Sequence, residues 1–356
     1  MMRLLAEDLA RDHAVTVASY DVPTNHPAIE EFRIPAPGEP GRAWRVAPLR
    51  RAWHLRQAVP RALLDAADLV VVLDCHFAAL LPAASSAGRA KLIHLALSCT
   101  PAQERAAGAS ALIVRQYAWL EGRLGRRANE VVVSSRLQAE EMARESRLPA
   151  SAAKVLYPTL PAAMPVPAPA GAGGCVILCA GRLVPGKRFD VALRLLAGLR
   201  DLDWRLLVAG EGPERARLVA DAGWLGIADR VEFLGAQPTI EPLLARADLL
   251  LHPSRYESFG MVLFEAMRAG RPALAAALPA PIGLRELIAP PVRPDAPRAV
   301  DFVDFDGPRA TATLARLIAD APFRAASGQA ARALADAVLT TSYAAGFRAI
   351  AGLAPA

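Results

Sequence analysis

The sequence predicts an α/β protein built from two Rossmann-like halves, each a parallel sheet with crossover helices. In both halves, short apolar runs rich in β-branched residues alternate with longer stretches of helical period. Between them lies PTLPAAMPVPAPAGAGG, from Pro158 to Gly174, whose prolines and glycines suit neither a regular helix nor an interior strand and therefore mark a linker. Size agrees, since 356 residues exceed what one core usually supports. With 53% hydrophobic and 21% charged residues, the chain falls among globular and not disordered proteins.

Along the first half, the helical pattern LLAEDLARDH leads into the run AVTVASY, and DLVVVLDCHF, AKLIHLAL and EVVVSS follow as further strands. A second alternating set runs from Cys175 to about Asp320, and a last helical stretch covers roughly Gly328 to Leu353. The expected domains are 1–165, 166–327 and a C-terminal helix over 328–356. Acidic residues interrupt the opening MMRLLAEDLARD where a signal peptide needs an apolar core, and no apolar run reaches spanning length, so a cytoplasmic location is expected.

Open parallel sheets bind ligands beyond the carboxyl ends of their strands. Three such ends carry chemistry. CVILCAGRLVPGK places Arg182 and Lys187 after a strand, a bidentate fork and a mobile point charge that together can neutralise a pyrophosphate. WRLLVAGEGP ends in Gly210 and Gly212, where a ligand can approach the backbone. RYESFGMVLFEAM sets Glu257 and Glu265 eight positions apart around a glycine turn that opens a helix. The backbone of Phe259, Gly260 and Met261 would present free N–H groups at that helix start, a ready anion site. Taken singly, Arg182 and Lys187 read more readily as solvated surface charges than as ligands, and a lone Gly-x-Gly is a weak signal.

In order and spacing, GRLVPGK, LLVAGEGP, VEFLG and ADLLLHPSRYESFGMVLFEAMRAGRPALA resemble the C-terminal half of family 4 glycosyltransferases, continuously from about Cys175 to Ala276. That resemblance implies the GT-B fold, two Rossmann-like domains facing a cleft. It also implies transfer of a sugar from a nucleotide diphosphate sugar with retention of configuration, to a glycan or lipid-linked acceptor. It matches Arg182 and Lys187 to the donor diphosphate, Glu265 to the ribose and Glu257 to the donor sugar, with the backbone of Phe259 to Val262 meeting phosphate and sugar oxygens. Cations and N–H groups replace a metal, and no cofactor is implied beyond the donor. In the first half, LVVVLDCHFAALLP resembles the acceptor-side strand and loop and makes His76 a candidate acceptor contact, while His94 in LIHLAL reads as a packed residue.

The family pattern opens on a strand and a glycine-rich loop; here the opening resembles the helix that follows, so the first strand of the N-terminal domain is expected to be missing. Leu97 and Ser98 stand where many members carry a histidine. A truncated, non-catalytic nucleotide-sugar binding protein is the alternative reading.

The net charge of +6 is mild, but Arg42, Arg45, Arg50, Arg51, Arg56 and Arg61 stand between Glu39 and Asp65 without an acid, interleaved with Trp44 and Trp53. Such a segment suits an anionic membrane surface, which would make the protein peripheral at the inner face of the plasma membrane; a solvated helix is the plainer reading. No nucleic-acid recognition module accompanies it. Cys75, Cys99, Cys175 and Cys179 lack Cys-x-x-Cys spacing and read as core residues, and the Asp-x-Asp of Asp304 and Asp306 is too short a match to imply a metal.

Overall fold

The computed structural model describes residues 2–19, 26–34, 48–80, 90–158, 174–277, 283–288, 296–338 and 342–354. The chain divides into two compact units, Met1–Thr159 with Thr341–Ala356, and Leu160–Thr340. The expected linker lies largely outside the described residues, as do Arg42, Trp44 and Arg45.

In the N-terminal unit, α1 (Met2–Leu9) leads into β1 (Val15–Ser19), β2 (Ile29–Arg33), α2 (Pro48–Ala58), the short α3 (Arg61–Asp65) and β3 (Leu69–Val72). There follow β4 (Lys91–Ala96), α4 (Thr100–Ala106), α5 (Ala111–Arg127), β5 (Glu130–Val133), α6 (Arg136–Ser146) and β6 (Ala153–Val155). β1 and β2 pair in parallel, and β3-β4-β5-β6 form a separate parallel sheet. No described strand joins the two sheets. β4 is buried from Leu92 to Ala96 and β5 from Val131 to Val133, so both strands are apolar on both faces, as a covered parallel sheet requires. His94 is part of this layer; burial lowers its pKa to about 4 and keeps the imidazole neutral.

Buried polar side chains join these elements. The Glu121 carboxylate of α5 accepts from the Thr100 N–H at 3.0 Å, in the first turn of α4, and from the Ser146 hydroxyl at 2.5 Å, at the end of α6. One carboxylate thus satisfies an orphan donor of one helix and fixes a second. Gln138 does the same between sheet and helix: its Oε1 accepts from the Ser134 N–H at 2.9 Å and its Nε2 donates to the Ala96 carbonyl at 2.8 Å, while Ser135 caps α6.

The C-terminal unit carries β7 (Cys175–Ala180), α7 (Phe189–Ala197), β8 (Trp204–Ala209), α8 (Arg215–Trp224), β9 (Val231–Gly235) and α9 (Glu241–Arg246). It continues with β10 (Leu249–His252), α10 (Met261–Arg268), β11 (Ala273–Ala276), β12 (Val300–Val303), α11 (Pro308–Ala319) and α12 (Ala321–Val338). The sheet is parallel throughout in the order β12-β11-β10-β7-β8-β9, so strand order reverses between β7 and β10. That reversal is the topological switch point, where the loops after β7 and β10 diverge and leave room for a ligand. Cys175 and Cys179 are free and buried in this core with Ile177, Leu206, Val208 and Leu251.

The final helical stretch is divided. α12 stays in the C-terminal unit because Gly328 packs directly against the Gly270 carbonyl and the Arg332 guanidinium donates to the Arg268 carbonyl at 2.9 Å, capping α10. Only α13 (Tyr343–Ala351) belongs with the N-terminal unit. There the buried Arg348 donates to Asp8 at 2.9 Å and to Asp12 at 2.7 and 2.8 Å, and the Lys91 ammonium caps the helix on the Ile350 and Ala351 carbonyls. Tyr343 and Phe347 join Leu5, Leu9, Ile93 and Val132 in one apolar cluster.

The contrast between two glycines tests this packing. A Cβ on Gly328 would stand 2.3 Å from the Gly270 carbonyl oxygen, whereas one on Gly223 of α8 meets nothing within 4 Å. Gly328→Ala is expected to cost on the order of 1–3 kcal/mol in urea unfolding, and Gly223→Ala to gain about 0.5–1 kcal/mol. Equal effects of the two substitutions would contradict the close approach of α12 to α10.

Candidate active site

The site in the C-terminal unit is built from three strand ends. Beyond β7, Gly181 donates to the Ala209 carbonyl at 2.9 Å and Leu183 to Glu211 at 2.9 Å, so the chain keeps pairing with the loop after β8 past the end of the sheet. That pairing explains Gly210 and Gly212. A Cβ on Gly210 would lie 1.9 Å from the Gly181 carbonyl oxygen and one on Gly212 2.3 Å from that of Leu183, and both have positive φ, 143° and 157°. Their lack of a side chain is required by the neighbouring loop, a reason that was not visible in a Gly-x-Gly alone.

The loop after β7 also reaches the loop after β10, because the Arg255 N–H donates to the Gly186 carbonyl at 2.8 Å. Lys187 closes a 3-10 turn, Pro185–Lys187, and its stem passes over Gly181. Its ammonium meets the Glu257 carboxylate at 2.6 Å. His252, the last residue of β10, places Nε2 3.4 Å from the same oxygen, close enough to feel its charge but outside hydrogen-bonding alignment. Burial by itself would raise the Glu257 pKa; His252 and Lys187 outweigh it and hold the carboxyl down to about 2. Burial shifts His252 the other way and favours its neutral form. Among the described residues, the exposed Arg182 guanidinium meets no acceptor, whereas Lys187 and Arg188 of the same loop are paired with Glu257 and Asp306.

Gly260 opens α10 in the left-handed conformation, φ 91° and ψ 49°. This conformation lets the chain turn sharply from the buried Phe259, whose ring packs edge-on against Phe264 at 6.4 Å, into the helix. The first-turn N–H groups, beginning at Met261 and Val262, have no intrahelical acceptor and leave a positive pole at the loop. Glu265 lies in the second turn, half-buried. Burial, with the neighbouring Glu241 charge, raises its pKa to about 7, in contrast to Glu257. The 3-10 segment Gly283–Leu287 braces the loop from outside, Gly283 donating to Ser258 and Leu284 to Phe259, each at 2.9 Å.

The structure thus brings Lys187 and Glu257 into contact and sets Gly260 and Met261 on the loop that carries Glu257; Gly210 and Gly212 adjoin the Gly181–Leu183 backbone. His252 was not singled out in the sequence; a lone polar residue closing the apolar run LLLH at the carboxyl end of a strand is the signal that marked it. Asp306 accepts a bidentate contact from Arg188 at 2.9 and 3.1 Å, and Asp304 accepts the Asp306 N–H, so this Asp-x-Asp forms a turn and an ion pair.

His76 lies in the N-terminal unit. Its Nδ1 hydrogen-bonds Asp74, which also accepts its backbone N–H at 2.9 Å and lies 3.5 Å from the Arg51 guanidinium. The imidazole is 2% exposed and stands edge-on to Tyr117, with Nε2 buried and without a described partner. Asp74, Cys75 and His76 bring possible ligand atoms within 4.8 Å of one another, a spacing compatible with a metal ion, although Asp74 already engages His76 and Arg51.

Two family models match this chain. Residues 1–159 match the glycosyl transferase 4-like domain, and residues 169–293 match glycosyl transferases group 1. The GDP-mannose-dependent α-(1-6)-phosphatidylinositol dimannoside mannosyltransferase of Mycobacterium tuberculosis is 42% identical over 96 residues, covering 26% of this chain and 25% of that protein. The chain therefore spans about a quarter of that relative's length. Among solved structures, sucrose-phosphate synthase of Thermosynechococcus elongatus aligns with a TM-score of 0.77 at 19% identity, over 98% of this chain and 90% of that one. Anabaena HepE in complex with UDP and glucose aligns with a TM-score of 0.69 at 21% identity, over 95% and 91%. The solved structures share the GT-B fold with this chain, and the two family models, which together span most of it, show that it belongs to the family 4 glycosyltransferases.

Proposed function

We propose that the protein is a retaining glycosyltransferase, moving a hexose-type sugar from a UDP- or GDP-sugar to a glycan or lipid-linked acceptor in cell-envelope or exopolysaccharide synthesis, without a divalent metal. The observation that carries this reading is the Lys187–Glu257 ion pair, held between the loops after β7 and β10 beside the helix start at Gly260. A cation, a set of free N–H groups and a carboxylate meet at the carboxyl edge of a parallel sheet, at its switch point. The mycobacterial relative is named for GDP-mannose and the Anabaena structure holds UDP and glucose, which supports testing both nucleotides.

Transfer from a nucleotide diphosphate sugar places growing negative charge on the departing diphosphate. Arg182, Lys187 and the N–H groups from Phe259 to Val262 stabilise that charge in place, and interactions that strengthen in the transition state raise the rate. Lys187 is shared between Glu257 and the diphosphate, so the arriving phosphates displace part of the internal pair. Glu265 receives the ribose hydroxyls, and Glu257 faces the donor sugar. In the N-terminal unit, His76, whose Nδ1 is held by Asp74, is the candidate acceptor contact.

Calorimetry with UDP and GDP in the presence of chelator tests the donor site. Submillimolar binding is expected, and Arg182→Ala with Lys187→Ala should weaken it roughly hundredfold, about 3 kcal/mol, as two charge-assisted contacts are lost. Unchanged affinity removes both residues from the site. Binding without any transfer, over a panel of sugar donors and acceptors, would favour the non-catalytic binding protein.

The two glutamates should separate. Glu257→Gln removes the charge that competes for Lys187, so nucleoside diphosphate binding should hold or tighten while transfer at saturating donor falls. Glu265→Gln should weaken nucleotide binding itself. Equal losses of nucleotide affinity in both variants would contradict these roles.

Stability offers a readout independent of ligand. The Glu265 pKa is raised from about 4.5 to about 7 in the folded protein, so the folded state binds more protons than the unfolded chain, and this contribution is present below pH 4.5 and lost as pH rises through 7. Glu265→Gln should therefore gain on the order of 1–3 kcal/mol relative to the parent at pH 8 compared with pH 4. The opposite trend, measured by urea unfolding at the two pH values, would show that burial does not govern this carboxyl.

A further inference from the structure

The exposed apolar side chains are unevenly placed. Of the seven large ones among the described residues, Leu49 and Trp53 lie on α2, 45% and 58% exposed, and Leu112 and Trp119 on α5, 66% and 53% exposed; Leu73 follows β3, and Val219 lies with Trp224 on α8. They recur at helical spacing, four residues apart on α2 and seven on α5, so each helix carries an outward apolar stripe beside the stripe it buries. The two helices pack together: Ala52 of α2 shares an apolar cluster with Tyr117, Leu120 and Leu124 of α5.

Charge on these helices has one sign. α2 holds Arg50, Arg51 and Arg56 and no acid. The one acid of α5, Glu121, is 1% exposed and committed to Thr100 and Ser146, while Arg115, Arg126 and Arg127 are exposed and Arg123 half-buried. The exposed tryptophans of α2 and α5 each lie beneath an arginine of their own helix, Arg56 at 5.9 Å from the Trp53 ring centre and Arg123 at 5.6 Å from that of Trp119. Trp224 of α8 is 87% exposed but shares its helix with Asp221 and lies in the other unit.

We propose that α2 and α5 together form a docking surface for an anionic lipid bilayer, with Leu49, Trp53, Leu112 and Trp119 entering the interface and the arginines facing lipid phosphates. Indole rings settle at the boundary between headgroups and acyl chains, and arginines beside them gain from a negative surface. A purely electrostatic polyanion site does not call for exposed leucines and tryptophans. A protein partner is disfavoured by the uniform positive charge, which bilayers of acidic lipid match without sequence. The sequence segment around Trp44 and Trp53 pointed to one helix; α5 is the half that only the packing reveals, and the surface stands independently of the donor site.

The 356-residue chain is mixed with vesicles of phosphatidylcholine alone and of phosphatidylcholine with phosphatidylglycerol, and binding is followed by cosedimentation and by quenching of tryptophan fluorescence with brominated lipid. Binding is expected to the anionic vesicles only, weakening as salt rises. Trp53→Gln with Arg56→Gln, and Trp119→Gln with Arg123→Gln, should each lower partitioning about tenfold, the four changes together more than either pair, and Trp224→Gln should leave it unchanged. Circular dichroism checks that each variant folds, and the surface changes Arg50→Glu and Arg115→Glu supply a second pair of probes. Equal binding to neutral vesicles, no binding, or loss through the α2 pair with the α5 pair silent would overturn the proposal. So would salt-sensitive binding that is indifferent to both tryptophans, which would instead mark a polyanion patch.

Discussion

The candidate site depends on one pairing, that of β10 against β7. Asp248, just before β10, donates its N–H to the Val176 carbonyl at 2.7 Å and accepts the Val176 N–H on its carboxylate at 2.8 Å, and Leu249 and Leu250 then take register with Ile177 and Leu178. By pairing with β7 and not with its predecessor β9, this strand reverses the sheet order and brings two loops far apart in sequence to the same edge. Lys187 and Glu257, separated by 70 positions, meet because of it. The strands are buried on both faces, so a one-residue slip would exchange the side chains facing each layer; the register that seats Leu249 to His252 therefore also fixes the start of the loop to Gly260.

The site's electrostatics follow from what each loop residue can reach. Glu257 and Glu265 belong to one short motif and are both half-buried, yet their pKa values diverge to about 2 and about 7. Glu257 has an ammonium and an imidazole within reach, whereas Glu265 has burial and another carboxylate. Environment thus favours the ionised form of one carboxyl and the protonated form of the other. Lys187 is neutralised internally, while Arg182 stays exposed.

The N-terminal unit solves a different problem, keeping short helices in place on a small sheet. α4 has seven residues and would be marginal alone. Glu121, Gln138 and Arg348 each join elements that are distant in sequence through hydrogen bonds made within the buried layer, where the loss of one partner would leave another unsatisfied. The same layer leaves only positive charge on the outward faces of α2 and α5, because the acid of α5 is spent inside.

Much of this protein was legible in its sequence, since two of its physical requirements are local. A strand buried on both faces is mostly apolar, so KLIHLA, CVILCA and LLLH announce parallel sheets, and the left-handed start of α10 favours the glycine found there, Gly260. The order of GRLVPGK, AGEGP and RYESFGMVLFEAM was enough to identify the family. Contacts between loops were not legible, because they depend on strand order. The close approach that requires glycine at Gly210 and Gly212, the place of His252 beside Glu257, and the division of the last helices at α12 and α13 were decided by packing. So was the partnership of α2 with α5. Sequence carries periodicity and chemistry along one chain; which faces are covered, and which charges neutralise each other, is settled only when distant segments share a buried surface.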